Sequence, residues 1–103
     1  MGSLFYGSKV TVPIDDRGLL HLQLVMFAKL RRQESFAFTW RDEAGVGDGH
    51  GAIWVSGHTP LYFKYAGAHD ATVNRAWIDI LLESANTPQG LKLSAEPIAA
   101  PAA

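Results

Sequence analysis

Four histidines and two aspartates are the residues whose types best suit metal binding. Three of the histidines fall in predicted loops, beside aspartates that could add carboxylate oxygens. No pair has the helical i, i+4 spacing of a zinc site, and the chain has no cysteine to supply thiolate ligands. The fourth histidine, His21, lies on the polar side of a predicted helix and is expected to face water. We therefore predict no metal site and no bound cofactor. The six residues are His21, His50, His58, His69, Asp48 and Asp70.

Nucleophilic catalysis requires a serine, threonine or cysteine beside an oriented base. Ser35, Ser56 and Ser84 have no nucleophile motif around them. The adjacent carboxylates Asp15–Asp16 and Asp42–Glu43 suit a helix cap and a loop better than an acid–base pair. The sequence therefore predicts a protein that is not an enzyme.

A glycine-rich run from Gly45 to Gly51 has the composition of a phosphate-binding loop. Such a loop leads into a helix and carries a Lys-Ser or Lys-Thr pair at its end. Here no such pair follows, and the next predicted element is a strand. We interpret the run as a hairpin connection.

Basic residues interleaved with aromatic ones indicate contact with nucleic acid. Trp40, Trp54, Phe63 and Tyr65 lie on predicted strands and could stack on unpaired bases. A second interpretation stays open, because the same aromatics could form a core face, and cations at a helix end also favour the negative end of its dipole. The residues predicted to contact nucleic acid are Lys29, Arg31, Arg32, Arg41, Lys64 and Arg75.

Composition limits the class of protein. A chain of 103 residues, 48% hydrophobic and 18% charged, suits one domain with a packed core. A formal net charge of −1 argues against a protein that coats nucleic acid without specificity. The first residues do not have the pattern of a signal peptide, and no apolar run reaches the length of about 18 residues that suggests a membrane span. The expected location is the cytoplasm.

The segment from Asp16 to Gln33 is predicted to be the central helix. Asp15 or Asp16 caps its start, and basic residues occupy its last turn. Its apolar residues cover well over half of the circumference, more than one sheet face can bury. This surplus predicts a homodimer or a partner protein.

The other elements are predicted from alternation and from turn residues. A second helix runs from about Ala71 to Ala85 with Asp70 as its N-cap. The three strands between the helices are expected to form an antiparallel meander. The predicted fold is α+β in the order β-β-α-β-β-β-α-β, with one mainly antiparallel twisted sheet and both helices on one face. Residues 1–94 form the domain, and residues 95–103 form a disordered tail rich in alanine and proline.

Several motifs together resemble a small actinobacterial domain family of unknown function, whose members often carry the label ATP-dependent DNA ligase. The resemblance covers nearly the whole chain before the tail. The motifs are Met-Gly-Ser-Leu-Phe-Tyr-Gly-Ser at the start, Ile14-Asp15-Asp16-Arg17, Lys29-Leu30-Arg31-Arg32, Asn74-Arg75-Ala76-Trp77-Ile78 and Ala85-Asn86-Thr87-Pro88.

The ligase label implies an adenylation motif, Lys-x-Asp-Gly, which this sequence lacks. Its only Asp-Gly pair is Asp48-Gly49, and Val46 stands where the lysine should be. The resemblance therefore implies at most an accessory domain associated with a ligase.

The leading hypothesis from the sequence is a non-catalytic binding module for DNA or RNA, with no role at a membrane. The alternative is a protein-interaction or homodimerisation domain that does not bind nucleic acid. A ligase-related enzyme fragment is the third hypothesis.

Overall fold

The computed structural model describes residues 1–41, 50–67 and 72–98. The described residues form six strands and two helices in the predicted order, which confirms the α+β class. The elements are β1 (Gly2–Tyr6), β2 (Val10–Ile14), α1 (Asp16–Arg31), β3 (Phe36–Arg41), β4 (His50–Val55), β5 (Leu61–Lys64), α2 (Arg75–Ala85) and β6 (Leu91–Lys92).

The strands divide into two sheets instead of the single sheet that was predicted. One sheet has the order β2-β1-β5 and is antiparallel throughout. The other has the order β4-β3-β6, with β3 antiparallel to β4 and parallel to β6. The predicted meander is wrong at β5, which pairs with β1 instead of β4. Two apolar residues of β5, Leu61 and Phe63, alternate in the way that suits either partner, so the pattern does not identify the neighbouring strand.

The core lies between the two sheets and the helices. β1 contributes Leu4, β2 contributes Val12 and Ile14, and β3 contributes Phe36 and Phe38, all buried. The alternation predicted for β2 and β3 is therefore confirmed. β4 adds Val55 and β6 adds Leu91. The helices contribute Leu19, Leu22, Val25, Met26, Trp77, Leu81 and Ala85.

One tyrosine links the two sheets. The hydroxyl of Tyr6, at the end of β1, donates a hydrogen bond to the carbonyl oxygen of Trp54 on β4 at 2.7 Å. The same hydroxyl accepts a hydrogen bond from the Ser56 backbone N–H at 3.2 Å. Together these bonds fix the end of β4 against the first sheet.

Helix α1 begins where the sequence predicts and ends earlier. Asp15 is the N-cap, and its carboxylate accepts a hydrogen bond from the Gly18 N–H at 3.0 Å. The helix stops at Arg31 because Gln33 takes a left-handed conformation, with φ of 61°. His21 is fully buried, contrary to the prediction that it faces water, because α2 covers that side of α1.

Helix α2 begins at Arg75, with Asn74 as its N-cap, whereas the sequence predicted a start near Ala71. Asp70, the predicted cap, and Ala71 lie outside the described residues. The Asn74 side chain accepts the hydrogen bond from Trp77 N–H at 3.3 Å that a cap requires. No helix in the described part of the chain is long and apolar enough to cross a membrane.

Strand β6 reaches β3 through a glycine. Gly90 has φ of +84°, and a Cβ added there would lie 2.5 Å from the carbonyl oxygen of Ala37 on β3. A residue with a side chain does not fit at position 90, where the backbone passes close to β3.

Beyond β6, Glu96 pairs with Arg17, with 2.6 Å between Oε1 and Nε, although the sequence placed it in a disordered tail. Residues 99–103 of that predicted tail lie outside the described residues.

Candidate functional site

The six basic residues predicted to bind nucleic acid do not lie together. Arg31 lies in the last turn of α1 and Arg32 caps its end, while Arg41 lines a cleft together with Asp15, the residue that caps the start of α1. A helix of 16 residues is about 24 Å long, so the two groups lie near opposite ends of that length. The set therefore cannot act as one compact patch.

Lys29 is only 8% exposed, and its side-chain amine is engaged by other residues of the chain. Its side-chain amine donates a hydrogen bond to Asn86 Oδ1 at 2.8 Å and lies 3.0 Å from Glu34 Oε1. The hydrogen bond from Lys29, and then the charges of Arg32 and Lys29, hold the pKa of the Glu34 carboxyl below its ordinary value. Lys29 thus joins α1 to the end of α2, a structural role that the sequence prediction missed.

Lys64 and Arg75 are exposed but lie on other surfaces. Lys64 lies on the exposed side of the first sheet, next to Tyr62, whose ring stacks on Phe5 at 5.5 Å between centroids. Arg75 is the first residue of α2. Among the residues that the β1 and β5 registers place on that exposed side of the first sheet, Lys64 is the only cation.

Arg41 lies on the outer face of the second sheet, where other polar and aromatic side chains join it. His50 is directly opposite Arg41 on β4, and Lys92 on β6 is opposite Thr39. Trp54, two positions beyond Ala52 on β4, lies on the same face and is 64% exposed. We call this surface the outer face; its residues are Ala37, Thr39, Arg41, His50, Ala52, Trp54 and Lys92.

The alternation of β3 explains why small and basic side chains lie on this face. Phe36, Phe38 and Trp40 point inward, so Ala37, Thr39 and Arg41 must point outward. Small side chains therefore occupy the centre of the outer face, with the cations and Trp54 around them. Among its described residues no carboxylate is present to offset the charges of Arg41 and Lys92.

A cleft opens beside the outer face, between β2 and the ends of β3 and β6. It has a volume of about 260 Å³, and its walls are largely apolar. A smaller cleft of about 120 Å³, on the outer face itself, shares four lining residues with it. The shared residues are Thr39, Trp40, Arg41 and Lys92.

The indole of Trp40 is held in place on two sides. The ring of Phe38 stacks on it with 5.7 Å between centroids and 26° between planes. Gly51, its partner across the strands, has no side chain, and a Cβ added there would lie 2.4 Å from the indole. The wall that Trp40 gives to the cleft is therefore rigid.

The sequence prediction named Arg41 as a ligand contact and Trp40 and Trp54 as candidates for stacking. It assigned no such role to Lys92 and placed His50 in a loop. The missed residues needed the strand register, since alternation alone does not show that β6 adds Lys92 beside β3. Within the described ranges, no three histidine, aspartate or glutamate side chains are placed to hold a metal ion. Asp48, His69, Asp70 and the other residues of the predicted loop before Gly51, apart from His50, lie outside those ranges.

The fold defines a small α+β domain with two three-stranded sheets and two helices. Residues 1–96 match the model of a family described as Domain of unknown function (DUF7882), and the chain belongs to that family. Comparisons with curated proteins and with solved structures gave no match.

Proposed function

We propose that this domain is a non-catalytic module that binds single-stranded nucleic acid through the outer face. One observation carries the proposal: a sheet face that neither described helix covers presents Trp54, Arg41 and Lys92 around a centre of small residues. An exposed sheet with an aromatic platform and nearby cations suits unpaired bases and their phosphates.

The aromatic residue and the two cations of the outer face should each contribute to the binding free energy by a typical amount. Stacking of one base on Trp54 is worth about 1–3 kcal/mol. Arg41 and Lys92 each neutralise one phosphate, which gives a salt dependence of about −1.4 in the logarithm of the binding constant against the logarithm of salt concentration. A formal net charge of −1 is compatible with this, because binding depends on a local patch.

The test compares two double variants with the same change in charge. Arg41→Gln with Lys92→Gln removes both cations of the outer face, while Arg31→Gln with Arg32→Gln removes two at the far end of α1. Fluorescence anisotropy with a labelled oligothymidylate, between about 50 and 200 mM salt, measures affinity and salt dependence.

We expect the first double variant to lose most of the affinity and nearly all of the salt dependence. The second should bind almost as the unmodified protein does, since its cations are remote. Equal losses in both variants would show non-specific attraction, and no binding at low salt would refute the proposal.

Homodimerisation is the second candidate function, and exposed apolar residues on α1 favour it. Leu24 and Phe27 are 37% and 39% exposed on neighbouring turns. Packing within the chain covers more of α1 than the sequence suggested, since the ring of Phe27 already contacts Phe63 edge-on at 5.5 Å. The exposed apolar surface of α1 is therefore smaller than the sequence suggested.

Light scattering at tens of micromolar distinguishes these states. If α1 forms the interface, the unmodified protein has the mass of two chains, and Leu24→Lys has the mass of one. A monomer mass for the unmodified protein would exclude the dimer and leave the nucleic-acid proposal intact. The third hypothesis, a ligase-related fragment, gains no support from the described residues.

A further inference from the structure

The larger cleft and the outer face form one continuous surface. Arg41 and Lys92 line both the larger cleft and the smaller one, so their charges lie where the two meet. A strand that lies on the outer face, with its phosphates at these cations, would pass the mouth of the larger cleft.

The interior of the larger cleft differs from the outer face. Val12, Ile14, Phe38, Trp40 and Leu93 give it an apolar lining, in which Phe38 is fully buried and Trp40 is the partly exposed aromatic residue. Its volume of about 260 Å³ lies just below the range of roughly 300–1,000 Å³ usual for small-molecule sites. The cleft therefore suits a small, flat ring system better than a long chain.

Three charged side chains line the cleft, the cations Arg41 and Lys92 and the carboxylate of Asp15, which accepts a hydrogen bond from the Gly18 N–H at the start of α1. The cations outnumber the carboxylate, and this restricts the ligand further. A ligand that satisfies both parts of the site carries a planar ring and, a short distance from it, an anionic group. A nucleotide of a single strand has this arrangement, with the base and the phosphate joined through the sugar.

We propose that the larger cleft holds one nucleobase, turned out of the strand that binds the outer face, while Arg41 and Lys92 hold the adjoining phosphates. This proposal rests on the proposed function. It adds a binding site with a defined occupant, one base beside Trp40. It predicts that the base at one position of the strand, besides the base that stacks on Trp54, is needed for full affinity.

The test uses a set of tetranucleotides in which each base in turn is replaced by an abasic residue. Their short length limits sliding, because a shifted strand would lose its phosphate contacts. Two variants fill the cleft: Leu93→Trp from its wall and Pro13→Trp from its exposed mouth. Leu24→Trp adds the same ring on α1, away from the cleft, as the matched control.

An abasic residue at the position that stacks on Trp54 should weaken binding in every variant. For the unmodified protein and for Leu24→Trp, we expect a second position at which the abasic residue weakens binding about fivefold or more. In Leu93→Trp and Pro13→Trp this penalty should disappear, because the base can no longer enter. If either filled variant does not fold, as judged by its urea midpoint, the other still provides the test.

Two results would overturn the proposal in different ways. If only the position stacked on Trp54 carries a penalty, or the second penalty persists in the filled variants, the cleft holds no base. The outer face would then still be the binding surface, provided that Trp54→Ala weakens binding of the complete tetranucleotide. If no tetranucleotide binds the unmodified protein at low salt, the proposed function fails together with the cleft.

Discussion

Two buried polar side chains, His21 and Lys29, join the helices of this domain. Nε2 of His21 accepts a hydrogen bond from the Asn74 N–H at 2.9 Å, so Nδ1 must carry the hydrogen and donate it to the Arg17 carbonyl oxygen, also at 2.9 Å. The imidazole therefore has a fixed tautomer. The ring also packs on Trp77, with 4.5 Å between centroids.

We predict that Lys29→Met destabilises the domain and leaves binding to nucleic acid unchanged. The substitution removes the hydrogen bond to Asn86 Oδ1, worth about 0.5–1.5 kcal/mol in the free energy of unfolding, and the ion pair with Glu34. Urea denaturation measures this cost, and Arg31→Met, an exposed neighbour, is the control at within about 0.5 kcal/mol. A Lys29→Met protein of normal stability that loses nucleic-acid affinity would support the sequence prediction instead.

Neither role could be predicted from helical periodicity. The pattern of α1 identifies an apolar side and a polar side, and it placed His21 on the latter. Burial of His21 depends on α2, which packs on α1 so that His21 meets Asn74 and Lys29 meets Asn86. Such a contact joins residues more than 50 positions apart, and no local pattern contains it.

At the scale of elements, the end of α1 shows how a helix stops without glycine. The Gln33 N–H donates to the Leu30 carbonyl oxygen at 2.9 Å, and the Glu34 N–H donates to that of Lys29 at 3.0 Å. These two bonds form a Schellman motif, whose left-handed position usually holds glycine. Here Gln33 occupies that position, with φ of 61°.

Replacing Gln33 with glycine should therefore stabilise the protein. The left-handed conformation costs a residue with a Cβ about 1–2 kcal/mol, and the greater freedom of glycine in the unfolded chain offsets part of this gain. We expect a rise of about 0.5–1 kcal/mol in the free energy of unfolding, measured by urea denaturation. Arg32→Gly, where φ is −89°, should lower stability, and a parallel rise in both variants would contradict this explanation.

Local patterns predicted the type and order of every element, because alternation and helical periodicity are recorded in neighbouring residues. They also predicted the cap at Asp15. The partners of β5 and β6 were not predictable, because pairing depends on contacts between distant segments. The outer face depends on one of these pairings, since Lys92 joins Arg41 only through β6.

At the scale of the whole molecule, Glu96 connects the end of the described chain to both helices. Its carboxylate accepts hydrogen bonds from Arg17 Nε at 2.6 Å and from Asn74 Nδ2 at 3.0 Å. The Arg17 bond, and then the Asn74 bond, lower the pKa of Glu96 from its ordinary 4.5 to about 2. Because this pKa is depressed in the folded state, the ionised carboxylate stabilises the fold.

The contribution of Glu96 should be fully present above about pH 4.5 and should disappear as the pH falls through about 2. We predict that Glu96→Gln is less stable than the unmodified protein at neutral pH. Near pH 2 the two proteins should be equally stable. Urea midpoints measured across this range give the difference, in which the similar effect of Glu34 cancels because both proteins contain it. A difference that stays constant with pH would show that charge plays no part.

Both ends of the described chain meet at the first turn of α1. A Cβ on Gly2 would lie 2.7 Å from Asp16 Oδ1, and Glu96 forms an ion pair with Arg17, the residue after Asp16. A short peptide could therefore join the two ends and make the backbone a closed ring. Cutting that ring in the turn between β1 and β2 would give a circular permutant with the same core and the same outer face.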